Sequence, residues 1–313
     1  MWTLDQLRAV YEKPLLELLY EAHCVFRAHH DPRDIQRCTL LSIKTGGCPE
    51  DCAYCAQSAR YQTGVEATPL MAVDDVVARA REAKQRGATR FCMGAAWREV
   101  KDGPQFERVL EMVRQVAALG MEVCVTLGML TEHQARRLKE AGLTAYNHNL
   151  DTSPEFYAKI ITTRSYEDRL RTLRAVAAAG IAVCCGGIIG MGESVQDRLR
   201  MLEVLAQLEV PPESIPINCL VPIPGTPLEH APPVDPLELV RLIATTRIAF
   251  PTARVRLSAG RTTMSKELQV LCFFAGANSI FYGDKLLTAP NPAESDDARL
   301  LRELGVCVPS GEP

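Results

Sequence analysis

The sequence predicts an α/β fold: a single (β/α)8 TIM barrel with an N-terminal helical cap. Three observations carry that expectation. A helical stretch ending in glycine and running into a short apolar strand recurs around Gly87 (KQRG-ATRFCM), Gly120 (AALG-MEVCVT), Gly142 (KEAG-LTAYNHN), Gly180 (AAAG-IAVCCG), Gly276 (CFFAG-ANSIFY) and Gly305 (RELG-VCV); the glycine supplies the left-handed backbone that reverses the chain into a sheet. Strand candidates are centred near residues 41, 91, 123, 147, 183, 217, 255 and 280, and eight βα units in about this length is the size of one barrel. A chain of 313 residues, 47% hydrophobic and 23% charged, can bury the core such a barrel needs.

In chain order, residues 4–30 read as one or two amphipathic helices, so 1–35 forms the cap and 36–313 the barrel with its C-terminal segment. Residues 39–44 are the first strand. Val73, Val76, Val77, Ala80 and Ala83 form the apolar stripe of the helix after it, and Phe106, Val109, Leu110, Val113 and Val116 that of the next. The uncharged run 175–192 has the length of a membrane span, but its repeated glycines break it into helix end, turn, strand and glycine loop. Residues 214–220 and 254–257 supply the less obvious late strands. The alternative is a doubly wound open sheet, which lacks a phosphate-binding glycine turn near its start. No linker divides the chain, which is expected to be one domain over 1–313.

With 35 basic against 38 acidic side chains and a net charge of −3, nothing favours nucleic acid or a membrane surface as partner; a small molecule is expected. The opening MWTLDQLRAVYEK lacks the layout of a secretory leader. The 12 cysteines are therefore expected in the cytoplasm, as thiols kept for metal or redox chemistry rather than disulfides.

Barrel strands alternate between lumen and helices. On that parity Asn147, Asn149 and Asp151 share one face; Cys92, Cys124, Cys184, Asn218 and Arg256 fall on the equivalent face of their strands, opposite Phe91, Met93, Val123, Val125, Val183, Cys185, Val255 and Leu257. A lumen filled with thiols, amides and a guanidinium is not a packing core, and buried polar groups without partners cost several kcal/mol, roughly 2–7 each. Each residue also has a plainer reading: free cysteine as a small core hydrophobe, asparagine as a strand-end cap, Arg256 paired with a carboxylate or substrate.

After the first strand, KTGGCPEDCAYCAQSARY places Cys48, Cys52 and Cys55 in a C-x3-C-x2-C arrangement at the end of the barrel where active sites lie. Three thiolates on so short a loop can wrap one soft metal centre. A zinc site remains the alternative, with Cys38, His23, His29 or His30 as fourth ligand.

The spacing, with Tyr54 before the last cysteine, resembles the signature of the radical S-adenosylmethionine superfamily. GGIIGMGE from Gly186 is similar to that superfamily's glycine-rich segment. Within the superfamily, LLSIKTGGCPEDCAYCAQSARY, RFCMGAAW, YNHNLDTSPEFY, VCCGGIIGMGE, PINCLVPIPGTPL, VRLSAGR and GANSIFYGDKLLT resemble segments of the biotin synthase family, in the same order. That resemblance implies a sulfurtransferase that closes the biotin ring on dethiobiotin, inserting sulfur between C6 and C9 after hydrogen abstraction by a 5′-deoxyadenosyl radical. It implies a [4Fe-4S] cluster on Cys48, Cys52 and Cys55, whose open iron chelates S-adenosylmethionine, and a [2Fe-2S] cluster on Cys92, Cys124, Cys184 and Arg256.

It further implies cofactor contacts at Tyr54, Ala95, Asn149, Asp151, Arg169 and Ile188, and substrate contacts at Asn147, Asn149 and Asn218. Arg169 is expected to meet the carboxylate of S-adenosylmethionine. A homodimer and an electron donor such as flavodoxin or ferredoxin complete the expected partners. Cys185 is expected to face the helices, and Cys24, Cys38, Cys219, Cys272 and Cys307 to be packing residues. The alternatives are a radical enzyme of this barrel type without sulfur insertion, and a zinc-stabilised barrel that binds a metabolite.

Overall fold

Glycine-ended helices do lead into strands. The helix Pro104–Ala118 runs through Gly120, at φ +75°, into a strand at Glu122, and Gly180, at φ +67°, does the same after the helix Tyr166–Ala178. The strands, in a computed structural model that describes residues 1–306, are β1 (Gln36–Lys44), β2 (Arg90–Ala95), β3 (Glu122–Thr126), β4 (Ala145–Asn147), β5 (Ala182–Cys184), β6 (Gly187–Ile189), β7 (Ser214–Cys219), β8 (Arg254–Leu257) and β9 (Ser279–Phe281). All pair in parallel in the order β5-β4-β3-β2-β1-β9-β8-β7-β6, and a β5–β7 pairing at Cys184 and Ser214 closes the ring.

β5 and β6 are two halves of one interrupted strand, so nine pieces fill the eight positions of a (β/α)8 barrel. The interruption has a steric cause. A Cβ on Gly186 would sit 2.0 Å from the Pro216 carbonyl oxygen, and one on Gly187 2.2 Å from Met201 Sδ. Only glycine lets the strand pass this close to β7 and to the helix Val195–Ala206.

Parity sorts the two faces of the ring. Phe91, Met93, Val123, Val125, Val183, Cys185, Ile215, Ile217, Val255 and Leu257 join the apolar layer shared with the helices. The lumen instead encloses Cys38, Cys92, Cys124, Ala145 and Cys184, with Arg256 buried beside them. β1 begins three residues before the expected 39–44 because Gln36, Arg37 and Cys38 pair with β9.

The cap consists of Leu4–Tyr11, opened by a Thr3–Gln6 capping box, and Leu15–His29. It packs on the helices Val195–Ala206 and Pro236–Ala249, with His30 beside Pro251 just ahead of β8. It therefore lies beneath the strand N-termini, opposite the cysteine loop. No helix among the described residues is long and apolar enough to cross a membrane. The last repeat ends with the helix Glu294–Glu303 and Gly305; Cys307 and the strand expected there lie outside the described residues.

Candidate active site

β1 delivers the chain through Gly46 and Gly47, both at φ +69°, into the cysteine loop. Backbone bonds pin that loop in place: Cys48 donates to Gln57 at 3.0 Å, Ala59 to Cys48 at 2.7 Å, and Ala53 to Ile160 at 3.0 Å. Asp51 receives the backbone N–H groups of Thr162 at 2.9 Å and Thr163 at 3.2 Å, and Cys52, Phe156, Tyr157, Ile160 and Met191 form a small core beneath the loop.

Cys52 is buried while Cys48 and Cys55 are half-buried. Burial, with the neighbouring Cys52 and Cys48, pushes the Cys55 thiol up to about 12. Such a trio resists holding three negative charges alone, and a bound cationic centre reverses that balance. Among the described residues no three such side chains already converge on one point, as a single ion would require. The imidazoles of the zinc alternative are elsewhere: His23 stacks on Phe274, and His30 lies against Arg247 in the cap.

The lumen holds a second thiol set. Cys38, Cys92, Cys124 and Cys184 pack together inside the ring. Arg256 joins them, its Nη1 donating to Cys184 Sγ at 3.8 Å and its Nη2 to Cys38 Sγ at 3.3 Å. Hydrogen bonds from Cys124 and Cys38 hold the Cys92 thiol well below its ordinary range, and one from Cys124 lowers Cys184. Burial raises Cys38, and its bonds to Cys184 and Cys92 raise Cys124. Buried Arg90, itself paired with Glu122 at 2.8 Å and Glu213 at 3.0 Å, adds a second positive charge below. Soft thiol donors in a buried, cation-flanked lumen suit an iron–sulfur cluster.

One cavity of about 260 Å³ joins the two sets, touching Cys48, Cys52 and Cys55 at one end and Cys92, Cys124 and Arg256 at the other. Ala95, Asn147, Asn149, Asp151 and Arg169 also line it. A second cleft of about 240 Å³ abuts it, sharing Tyr54, Asn149, Asp151 and Asn218 and adding Ile188, Leu220 and Val221. Two adjoining clefts provide for two ligands side by side.

Every sequence-predicted site residue borders this space or the inner thiols, although several carry structural duties too. Tyr54 Oη donates to Asp151 Oδ2 at 2.8 Å, and the buried Arg169 guanidinium pairs with the same oxygen and gives its Nε to Tyr157 at 3.0 Å. Asn147 donates to Asn149 at 3.0 Å and lies 3.4 Å from Cys184 Sγ. Asn218 spends its amide on backbone, donating to Gly187 at 3.0 Å and accepting from Ala259 at 3.2 Å, so the cap reading holds for it in part.

Two residues were not anticipated. Cys38, expected to be a packing residue, belongs to the lumen ring; Arg164, in the loop before the helix Tyr166–Ala178, donates to Cys52 Sγ at 3.7 Å, and its buried Nε makes no hydrogen bond but stands 3.8 Å from Glu50 Oε2. Of the other expected packing cysteines, Cys219 and Cys272 are buried, whereas Cys24 is exposed. No spacing pattern marks Arg164, which reads as an ordinary loop arginine.

The sequence model of the Radical SAM superfamily matches residues 42–205, and that of the Biotin and Thiamin Synthesis associated domain matches 216–307. A biotin synthase of Gloeobacter violaceus is 64% identical over 304 residues, covering 97% of this chain and 96% of the relative. One of Myxococcus xanthus is 63% identical over 305 residues, covering 97% and 88%. Among solved structures, methylornithine synthase (PylB) superposes with a TM-score of 0.81 at 19% identity, covering 97% of this chain and 93% of the other, a likeness of fold.

Proposed function

The chain belongs to the biotin synthase family of radical S-adenosylmethionine enzymes, and on that premise we propose which of its residues hold each reacting group. The reaction inserts sulfur into dethiobiotin to form biotin, and the family uses S-adenosylmethionine, a [4Fe-4S] cluster and a [2Fe-2S] cluster. The observation that carries the assignment is the single cavity bordered by both thiol sets: a substrate lying in it has the cysteine loop at one end and the lumen thiols at the other.

Cys48, Cys52 and Cys55 would hold the four-iron cluster, and Cys92, Cys124 and Cys184 with Arg256 the inner one. When bound, the outer cluster supplies the electron that cleaves the sulfonium, and the inner cluster supplies the sulfur. The chain's own part is to bind, orient and keep water out. Tyr54 and Ile188 flank the adjoining cleft and suit an adenine ring between an aromatic and an aliphatic face. Asp151, fixed through Oδ2 by Tyr54 and Arg169, offers its other oxygen to ribose hydroxyls, with the backbone at Ala95 nearby. Arg164 and Arg169, both on the cavity wall, are the cations available to a substrate carboxylate.

Asn147 and Asn149 present the mixed donor and acceptor set that a cyclic urea needs, while Asn218 is held at the rim. Leu40, Phe281 and Leu287 give the cavity an apolar wall suited to an alkyl chain. A cytoplasmic homodimer served by a flavodoxin or ferredoxin donor follows from the family reading alone.

Anaerobically reconstituted protein is expected to be brown, to carry both clusters, and to convert dethiobiotin to biotin with S-adenosylmethionine and a reductant. The Cys124→Ser variant should keep S-adenosylmethionine cleavage and lose biotin. Unchanged biotin formation by that variant would remove the lumen thiols from sulfur donation.

A further inference from the structure

We propose that Arg164 and Glu50 form an opposed charge pair that sets the reduction potential of the outer cluster, Arg164 raising it through its hydrogen bond to Cys52 Sγ and Glu50 lowering it. This rests on the reading of Cys48, Cys52 and Cys55 as the ligands of that cluster.

The first ground is contact. Arg164 Nη2 donates to Cys52 Sγ at 3.7 Å. Reduction adds a negative charge to a cluster, so a cationic donor on a ligand sulfur favours the reduced form; hydrogen bonds to sulfur and net charge are among the factors that tune such potentials. The Arg164 side chain is only 7% exposed, which leaves its charge little screened by solvent. The other guanidinium on the cavity wall, Arg169, is paired with Asp151, so Arg164 is the cation turned toward the cysteine loop.

The second ground is how the pair is held. Glu50 lies between Cys48 and Cys52 in the chain, and its side chain is 3% exposed, with Oε2 3.8 Å from Arg164 Nε. Arg98 Nη1 donates to Glu50 Oε1 at 2.8 Å, and the Thr163 hydroxyl donates to Oε2. Arg98 also donates to the Thr163 carbonyl oxygen, which fixes the residue next to Arg164. A buried carboxylate inside a loop that carries thiolates needs cations to offset it, and the one it shares with Cys52 is Arg164. The opposed fields act on the thiol itself: burial raises Cys52, Arg164 pulls it back more than any other neighbouring charge, and Glu50 adds to the rise.

The test reads a potential rather than turnover. Holoprotein without S-adenosylmethionine is poised at a series of potentials, and the electron paramagnetic resonance signal of the reduced four-iron cluster is followed. Arg164→Met should lower the equilibrium constant for one-electron reduction about tenfold, a potential about 59 mV more negative, and Glu50→Gln should raise it. A role confined to holding the loop in place would move both variants the same way, and shifts of one sign in both overturn the proposal. So does an unchanged potential in Arg164→Met, with weakened S-adenosylmethionine binding then assigning Arg164 to that molecule's carboxylate. Should Arg164→Met fail to fold, Glu50→Gln decides alone, and a potential at or below that of the unmodified protein overturns the proposal. Unmodified protein that binds no four-iron cluster, or that keeps it unaltered after Cys52→Ser, would instead defeat the outer-cluster reading itself.

Discussion

Asp151 ties three parts of the site together. Its backbone, at φ +69°, is left-handed, which aspartate tolerates better than most residues, and its carbonyl receives the Ile188 N–H at 2.8 Å. Its carboxylate takes the Tyr54 hydroxyl and the Arg169 guanidinium, with the pair's side chains only 2% and 5% exposed. Removing one partner strands a buried charge, so Arg169→Met is expected to cost about 3 kcal/mol, read as a fall in the denaturant midpoint. Tyr54→Phe should cost only about 1 kcal/mol and raise the KM for S-adenosylmethionine several-fold. His30 carries a pH signature: burial, then the charges of Arg247 and Arg254, lower its pKa from 6.5 to about 4. Below 6.5 the unfolded chain takes up a proton that the folded chain refuses, so stability falls between pH 6.5 and about 4 and then levels; His30→Gln should flatten that slope in pH-dependent melting. Parity placed Cys92, Cys124, Cys184, Cys185 and Arg256 on their faces because a period of two is a local property. Cys38 escaped it because the strand pattern read from the sequence starts at Thr39, just ahead of Leu40 and Leu41, while Gln36, Arg37 and Cys38 are held in the strand by β9, a partner more than two hundred residues away in sequence.

Among the elements, the broken strand β5–β6 shapes the mouth of the lumen. The sequence shows it as a strand followed by a glycine loop, and misses that Gly187–Ile189 resumes pairing with β7. That pairing depends on how near Pro216 and Met201 come, which no local pattern reports. Gly186→Ala would drive a methyl group into a backbone oxygen 2.0 Å away and is expected to cost about 3 kcal/mol and to release iron from the inner site. Gly180→Ala, at φ +67° with nothing within 4 Å of the added methyl, should cost about 1 kcal/mol and leave both clusters in place. Iron content per chain, measured beside the melting temperature, separates the two. The helix-to-strand units at Gly87, Gly120, Gly142, Gly180 and Gly276 were legible because a terminal glycine announces each, whereas β7 and β8 follow helices that end without one and were less obvious.

For the molecule as a whole, one closed sheet runs through both segments that match family models, 42–205 and 216–307. Cluster binding adds to the stability of that closed form, since ligands assembled only in the folded chain make binding energy part of folding energy. Removing iron with a chelator should therefore lower the melting temperature and admit thiol reagents to Cys48, Cys52 and Cys55, with Cys24 reactive in either state because it is exposed. Mass mapping of alkylated cysteines checks this directly. The two thiol sets also differ in how much chain must exist before they can meet. Cys48, Cys52 and Cys55 are neighbours on one loop, available as soon as that loop leaves the ribosome. The lumen ring draws on β1, β2, β3 and β5, and its guanidinium comes from β8 near the end of the chain. On the ligand assignment proposed above, maturation in the cell takes an order: the cysteine loop can gather iron during synthesis, whereas the lumen set cannot form until β8 has been translated.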